Sequence, residues 1–200
     1  TQMIYEVKEI IGAKIITGGK KEEDVQKEIL LPMLEEANRK ALENGAVIEG
    51  KTKYAVRLSA RAEKRMAIVA RQIAQLQGKA VLRVVAEKNT FRGEPLFVDF
   101  EYYKNELIFK AGQVLAEVQV KPNTDETEFS NEFFSLVSKE LLSKVKPMAI
   151  QKGMIPKDAI GEIDPVQFME VLERVKQRKT NVRLELIVMR DTWTIDWPLR

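Results

Sequence analysis

Cysteine and histidine are both absent from this 200-residue chain. Without cysteine the chain cannot form disulfides, use a thiolate nucleophile or hold zinc through sulfur. Without histidine it lacks the commonest general base near neutral pH, which excludes Ser-His-Asp triads and histidine-held metals. Any chemistry must use carboxylates, lysine, tyrosine or an oxygen-held ion such as Mg²⁺. We therefore expect no cofactor, unless the chain is a magnesium-dependent enzyme.

Long apolar runs and a strong excess of one charge are missing as well. No apolar run approaches the ~20 residues that span a bilayer, and the start carries no signal-peptide pattern. The 33 basic and 30 acidic residues leave a net charge of +3, so the chain has no overall basic character for wrapping nucleic acid. We expect a cytoplasmic chain that does not itself insert into a membrane. Because it begins at Thr1, we also expect a processed chain or a piece of a longer one.

What the chain does have is a large apolar content, 44% of its residues, arranged in two periods. Alternation of apolar and polar residues, and short runs rich in Ile and Val, predict strands at 4–17, 53–58, 80–88, 96–103, 106–110, 113–120 and 181–190. Apolar residues at helical spacing predict helices at 22–44, 59–77, 125–152 and 165–179. The predicted fold class is therefore α+β, a mixed αβ fold.

Local signals refine this outline. Gly12 is expected to kink the first strand, and Pro32 to kink the first helix. Gly45 and Gly153 are natural C-terminal caps of two of the helices. Lys104-Asn105, between two alternating segments, predicts the tight turn of a β-hairpin.

The second half of the sequence repeats the order of the first. Three blocks align in the same order, 10–15 with 110–115, 37–48 with 145–156, and 79–90 with 181–192. The alignment places Gly12 on Gly112, Gly45 on Gly153, Leu82 on Leu184, and the Pro-Leu pair at 95–96 on the pair at 198–199. The alternative is an apolar texture common to all αβ units, but it does not account for the matched glycines.

A duplication has a physical consequence. Neither copy can bury its apolar strand and helix faces alone, so the copies should pack about a pseudo-twofold axis around a shared core. We therefore predict one domain, 1–200, built from two strand–helix–helix–strand units. The repeat halves are about 1–96 and 97–200.

Two carboxylates, Asp99 and Glu101, lie on an alternating strand that leads into the predicted hairpin. An acid on the first strand of such a hairpin, followed by acids near helix ends, resembles the way ribonuclease-H-like nucleases hold two metal ions. Further acids available to complete such a site are Glu117, Asp125, Asp164 and Glu185. The simpler interpretation places Asp99 and Glu101 on the solvent-facing side of a half-buried strand.

A row of cations surrounds the predicted helix at 59–77. We call it the basic stripe, and its members are Arg57, Arg61, Lys64, Arg65 and Arg71. Helical spacing puts the last four away from the apolar face. Together with Lys51 and Lys53 they would suit the phosphates of a nucleic acid or an anionic surface. The acid Glu63 within the row, and the lack of interleaved aromatic residues, favour an ordinary solvated helix face.

Two segments carry a family resemblance. They are NTFRGEPLFVDFEYYKNELIFKAGQVLA at 89–116 and RDTWTIDWPLR at 190–200, and they accompany the helix–glycine blocks that end at Gly45 and Gly153. Over nearly its whole length the chain resembles the C-terminal domain of an uncharacterised bacterial family of membrane-tethered coiled-coil proteins, a domain of unknown function. The resemblance implies a cytoplasmic domain at the end of a coiled-coil stalk, and it supplies no functional residues.

These patterns predict a non-catalytic interaction or assembly module, the soluble end of a larger coiled-coil or membrane-tethered protein. Its expected partner is another protein or a second copy of the chain in a homodimer. The alternatives are a metal-dependent nuclease that uses Asp99 and Glu101, and a nucleic-acid or anionic-surface binder that uses the basic stripe. An apolar tail with Trp193 and Trp197 is expected to pack against the sheet, or else to dock on a partner as a strand.

Overall fold

The structure of the chain, a computed structural model, describes residues 1–121, 131–157, 161, 163–197 and 199. The chain divides into two compact units, Thr1–Asn105 and Glu106–Arg200. Both units contain helices and strands, which confirms the mixed αβ class. The boundary lies later than the predicted one between 96 and 97, so the strand that begins at Leu96 belongs to the first unit. None of the helices formed by the described residues is long and apolar enough to cross a membrane.

The first unit contains a four-stranded sheet, a separate pair of short strands and several helices. Its strands are β1 (Met3–Tyr5), β2 (Ile10–Thr17), β3 (Val56–Arg57), β4 (Lys79–Ala86), β5 (Thr90–Phe91) and β6 (Leu96–Lys104). Its helices are α1 (Glu22–Val25), α2 (Leu31–Glu43) and α3 (Ala60–Ala74). The sheet order is β2-β4-β6-β3, in which β3 runs parallel to β6 and the other neighbours are antiparallel. A separate antiparallel pair joins β1 to β5.

The helix predicted at 22–44 is present but is not uniform. A π-helical turn, Gln26–Leu30, separates α1 from α2. Pro32, in the first turn of α2, has no N–H to donate. In a regular α-helix its ring would also clash with the carbonyl of the residue four positions earlier. The wider turn just before it accommodates that ring. Gly45 ends α2 with a φ of +104°, as the predicted C-terminal cap requires.

The described residues of the second unit form fewer strands than those of the first. They are β7 (Leu107–Phe109), β8 (Val114–Val120), β9 (Val182–Ile187) and β10 (Thr192–Trp193). Its helices are α4 (Asn131–Gln151) and α5 (Pro165–Lys176). The pairs β8–β9 and β7–β10 are both antiparallel. Gly153 follows α4 with a φ of +98°, so this predicted cap is confirmed as well.

The hairpin predicted at Lys104-Asn105 is wrong. β6 ends at Lys104, and β7 pairs with β10 instead of β6. The Thr194 N–H extends that pairing by donating to the Glu106 carbonyl at 2.9 Å. Because β7 forms its backbone hydrogen bonds with β10, the turn at 104–105 connects the two units and does not close a hairpin.

The two units repeat one ladder pattern. Each long first strand contains a bulge, between Ile10 and Gly12 in β2 and between Val114 and Ala116 in β8. Counted along each ladder from its bulge, Leu82 of β4 and Leu184 of β9 belong to the corresponding residue pair, with Lys14 and Val118 as their partners. The two leucines therefore occupy corresponding positions, in agreement with the alignment of the sequence halves.

The predicted equivalence of Gly12 with Gly112 is wrong. Gly12 lies at the bulge inside β2, whereas Gly112 lies in the turn before β8 with a φ of +87°. The residue at the corresponding turn of the first unit is Lys8, with a φ of +70°. Both turn residues donate their N–H to a carbonyl at the C-terminal end of the paired strand, Lys8 to Ala86 and Gly112 to Val188, each at 2.8 Å. Bulges and left-handed turns both favour glycine, which is why sequence alignment confused them.

The buried apolar residues form two clusters, in contrast to the single shared core that was predicted. The largest members in the first unit include Leu30, Ile73, Leu82, Leu96 and Phe100. The largest members in the second unit include Phe109, Leu141, Met154, Phe168 and Leu172. Within the described residues, each unit thus has an apolar core of its own. The duplication and its pseudo-twofold axis stay predictions, and the common ladder pattern supports the first of them.

Candidate functional site

Asp99 lies in β6, opposite Val85 of β4. It is only 5% exposed, so the expectation that it faces solvent is wrong. The reason is that β4 is buried residue after residue, which means that the sheet is covered on both faces here. One carboxylate oxygen of Asp99, Oδ1, accepts the Phe100 N–H at 2.8 Å, and Oδ2 lies 4.0 Å from Nη2 of Arg61.

A second carboxylate, that of Glu87, faces the same arginine. Its Oε1 accepts the Ser59 hydroxyl at 2.8 Å and lies 3.6 Å from Nη2 of Arg61. One guanidinium nitrogen of Arg61 is therefore within 4.0 Å of both carboxylates. The other oxygen of Glu87 is buried, with no hydrogen-bond partner among the described residues. Sequence reasoning missed Glu87, although strand alternation puts it on the same face as Val85.

Glu101 is held by a different arginine. Arg83 lies directly opposite on β4, is buried, and donates from Nε and Nη2 to Oε1 of Glu101 at 2.9 and 2.7 Å. Its Nη2 also donates to the Tyr103 hydroxyl at 2.9 Å, and its guanidinium carbon lies 4.6 Å from the centre of that ring. Lys8 Nζ is 3.9 Å from the other carboxylate oxygen. Glu101 therefore faces two cations, Arg83 and Lys8.

The remaining acids of the nuclease hypothesis belong to the second unit or lie outside the described residues. Glu117 and Glu185 stand opposite one another on β8 and β9, and Arg183 lies 3.6 and 3.2 Å from them. Asp164 caps the N-terminus of α5, and Asp125 lies outside the described residues. Across the described ranges, no three acids converge as a divalent ion requires. The nuclease hypothesis gains no support from this arrangement and is untested.

The members of the basic stripe differ in exposure and in the groups that they contact. Lys64, Arg65 and Arg71 are exposed on α3, and no acid of the described part of the chain is paired with them. Arg61, by contrast, faces two largely buried carboxylates. Arg57 of β3 is half-buried and donates to a loop carbonyl at 3.4 Å. The outer cations keep their charge available to an anion, and nucleic-acid or anionic-surface binding stays an untested alternative.

A groove of about 490 Å³ lies in the second unit, between β9 and α5. Its walls are mostly apolar and include Leu142, Val145, Phe168, Val171, Leu186 and Val188. Gln167 and Glu185 add polar groups. An apolar concavity with few polar groups is typical of a binding site. Sequence reasoning did not select this groove, because its residues have the spacing of ordinary core residues.

The groove lies beside an open strand edge. In the first unit β4 is flanked by β2 and β6, whereas β9 pairs with β8 alone among the described strands. Leu199 forms a parallel bridge with Gly161, just as Leu96 at the start of β6 pairs in parallel with Val56. The groove therefore corresponds to the place that β6 occupies in the first unit. Of the predicted Pro-Leu match, Pro198 lies outside the described residues.

The tryptophans of the C-terminal tail have different surroundings. Trp197 is partly buried against the core of the second unit, and its indole N–H has no hydrogen-bond partner in the part of the chain that is described. Trp193, in β10, is exposed. The predicted packing is therefore confirmed for Trp197 and wrong for Trp193.

Residues 109–200 match the family described as a DUF3084-associated C-terminal helical hairpin. The match begins at the end of β7, lies within the second unit and covers slightly less than half of the chain. It supports the predicted resemblance to the C-terminal domain of a family of unknown function. It does not address the bacterial origin or the membrane tether. No curated protein and no solved structure matches the chain.

Proposed function

We propose that the chain is a non-catalytic interaction module that binds an extended protein segment in the groove of the second unit. One observation carries this proposal, namely that an apolar groove lies directly beside an edge of β9 with which no strand of the described residues pairs. Recognition by strand addition needs both features, because the edge supplies backbone hydrogen bonds and the groove holds alternate side chains.

The free backbone groups of β9 follow from strand alternation. The Val188 N–H points toward β8, where it donates to the Gln113 carbonyl at 3.0 Å. Successive N–H groups along a strand point to opposite sides, so those of Arg183, Glu185 and Ile187 point away from β8. They are the donors that an added strand would use.

The candidate catalytic groups support a structural role instead of chemistry. Asp99 and Glu87 both face Arg61, and Glu101 faces the buried Arg83. Carboxylates held by arginines are already charge-compensated, which leaves little demand for a metal. The cytoplasmic location and the attachment to a coiled-coil or membrane-tethered protein rest on the family resemblance and belong to this proposal.

Selection of peptides from a random display library on the intact chain tests the proposal. Val171→Lys places a charge in the apolar groove and should weaken the selected peptides by roughly a hundredfold, because burying an unpaired charge is costly. Met169→Lys makes the same charge change at an exposed position of α5 outside the groove, so it is the matched control. Its affinities should equal those of the unaltered chain.

Since Val171 also packs against the core, circular dichroism must show that the lysine variant is folded. Gln167→Trp provides a second block, because Gln167 is an exposed groove residue whose replacement leaves the core intact. The proposal is wrong if the library yields no binder, or if the selected peptides bind both groove variants as tightly as the unaltered chain.

A further inference from the structure

We propose that the outer side of α3 is a second binding surface, which contacts the phosphate backbone of a nucleic-acid duplex without reading its sequence. This surface belongs to the first unit and is separate from the groove, which belongs to the second. We define the outer sector of α3 as the exposed residues that helical geometry directs away from its buried side. They are Arg61, Lys64, Arg65, Ile68, Arg71 and Gln72.

The outer sector contains four cations and no acid. The buried side of α3, which includes Val69, Ala70 and Ile73, packs in the core of the first unit. Successive residues of an α-helix are turned by about 100°, so the outer sector occupies an arc of about 120° on the far side of the helix. Glu63, the acid within the basic stripe, points about 140° away from the centre of that arc. It therefore does not neutralise the outer sector.

The helix α2 of the same unit has a charge-balanced face for comparison. There Arg39 forms ion pairs with Glu36, three residues earlier, and with Glu43, four residues later. On α3, Arg61 is followed at the same spacings by a lysine and an arginine, and like charges so spaced destabilise a helix. These cations also lie near the N-terminus of α3, where the helix dipole disfavours positive charge. Local stability does not account for the pattern, whereas binding of an anion does.

The cations of the outer sector differ in what compensates them. Nη2 of Arg61 lies 3.6 Å from Oε1 of Glu87 and 4.0 Å from Oδ2 of Asp99. The acidic helix α1 packs against α3, yet none of its acids forms an ion pair with the other three cations, and neither does any other acid in the described ranges. These unpaired cations are Lys64, Arg65 and Arg71.

A loop adds positive charge beside the N-terminal end of the outer sector. Lys51 and Lys53 are exposed in the segment before β3 and outnumber its one acid, Glu49. Arg57 of β3 donates to the Glu49 carbonyl at 3.4 Å, which ties the loop to that strand. Only two residues separate Arg57 from Ala60 at the start of α3, so the loop's anchor lies within about 10 Å of the helix.

A straight row of cations fits a rigid anion of high charge density. The row from Arg61 to Arg71 spans about 15 Å, since each residue advances an α-helix by about 1.5 Å. A nucleic-acid duplex carries about one negative charge per 1.7 Å of its axis. An acidic peptide strand carries at most about one charge per 3.3 Å, roughly half that density. The duplex therefore offers the row more partners than an acidic protein segment does.

An anionic bilayer fits the outer sector less well. Helices that lie on a membrane bury their apolar face in the lipid. In α3 that face is already buried in the core of the first unit, and Ile68 is the one apolar member of the outer sector. The sector can therefore offer a membrane its charge but not an apolar face.

The test measures binding of the intact chain to a fluorescein-labelled DNA duplex of about 20 base pairs, by fluorescence polarisation over a series of salt concentrations. The triple variant Lys64→Gln, Arg65→Gln, Arg71→Gln removes the three unpaired cations and keeps residues that favour a helix. It should bind roughly a hundredfold more weakly at low salt. The slope of log affinity against log salt concentration should become shallower by about 3, since three phosphate contacts are lost.

The matched control is Lys14→Gln, Lys27→Gln, Lys104→Gln. These exposed lysines of the first unit lie outside α3. Each triple variant loses three positive charges and lowers the net charge from +3 to zero, so a difference between the two depends on position alone. The control should keep the salt slope of the unaltered chain.

A gain of binding provides an arm that unfolding cannot imitate. Gln72→Lys adds a cation to the outer sector, between the directions of Arg61 and Arg65. It should tighten binding about threefold and steepen the salt slope by about 1. Gln151→Lys makes the same change at the exposed end of α4 in the second unit, and it should leave the slope unaltered.

Three results would overturn the inference. They are a lack of duplex binding by the unaltered chain, an equal loss in the two triple variants, and an unchanged slope in Gln72→Lys. Displacement of the duplex by poly-glutamate, or by vesicles of equimolar phosphatidylserine and phosphatidylcholine, as effectively as by unlabelled duplex at equal charge would overturn the assigned partner. The proposed function is judged separately, because peptide binding to the groove variants does not involve α3.

Discussion

Each unit contains an antiparallel pair with the same ladder pattern, β2–β4 in the first and β8–β9 in the second. The units differ in the second edge of the later strand, β4 or β9. β4 has a neighbour on each edge, and all its residues from Ala80 to Ala86 are buried. β9 has one neighbour among the described strands, and its residues Arg183, Glu185 and Ile187 are exposed. Within the described ranges, the first sheet has β6 on the second edge of its ladder, and the second sheet has no described strand at that edge.

The sequences of the two ladder strands reflect this difference. β4 reads KAVLRVVA, an almost continuous apolar run, which is typical of a strand buried on both faces. β9 reads VRLELI and alternates, which is typical of a strand with one face toward solvent. The composition of the two strands therefore agrees with their different burial in the structure.

The largest expected effect compares the two corresponding leucines. Leu82→Ala removes a fully buried side chain between two strand neighbours, and it should lower the free energy of unfolding by about 3 kcal/mol. Leu184→Ala alters a side chain that lines the groove, so fewer contacts are lost and about half that effect is expected. Urea unfolding of both variants measures the difference. Equal losses would mean that the second ladder is as tightly packed as the first.

A smaller effect concerns Tyr102 of β6, for which the second unit has no described counterpart. Its hydroxyl is buried, with no hydrogen-bond partner in the described part of the chain. Tyr102→Phe removes this unsatisfied group and should raise the free energy of unfolding by about 1 kcal/mol at neutral pH. Lower stability of the phenylalanine variant would show that the hydroxyl makes a stabilising bond.

The same residue predicts a pH dependence. Burial raises the pKa of Tyr102 above its ordinary value in the unfolded chain. The stability linked to this group is fully present below the unfolded pKa, which is about 10, and is lost as the pH rises through the folded pKa. The difference in unfolding free energy between Tyr102→Phe and the unaltered chain should therefore widen above pH ~10. A difference that stays constant from pH 8 to 11 would contradict this prediction.

The smallest effect tests the correspondence of the two turns. Lys8 has a left-handed backbone, which costs a residue with a side chain about 1 kcal/mol or more. Lys8→Gly should therefore stabilise the chain by about 0.5 kcal/mol, after the larger backbone entropy of glycine in the unfolded state is subtracted. Gly112→Lys should destabilise it by about 1 kcal/mol.

Thermal unfolding of these two variants gives the measurement. Lys8→Ala is the matched control, since it removes the ammonium near Glu101 but keeps a side chain at the strained position. A gain in the alanine variant equal to that in the glycine variant would show that charge, and not backbone conformation, is responsible.

Much of the fold could be predicted from the sequence, and little of the site. The caps at Gly45 and Gly153 and the main helices were predictable, because capping and helical periodicity act over a few residues. Asp99 was correctly placed on a strand but wrongly placed in solvent, because the burial of its face depends on the neighbouring strand β4. Strand alternation puts Glu87 on the face of Val85, but its partners could not be predicted, since Ser59 and Arg61 come from another part of the chain.

The sequence by itself determined the class of fold, the positions of most strands and helices, and the absence of histidine and cysteine chemistry. Local periodicity and residue type are sufficient for these features, because they depend on neighbours within one or two turns. Only the tertiary structure decided that β7 pairs with β10, that arginines face the candidate acids, and that an apolar groove lies beside β9 at an edge where no described strand pairs. Each of these depends on residues far apart in the chain, which no local pattern specifies.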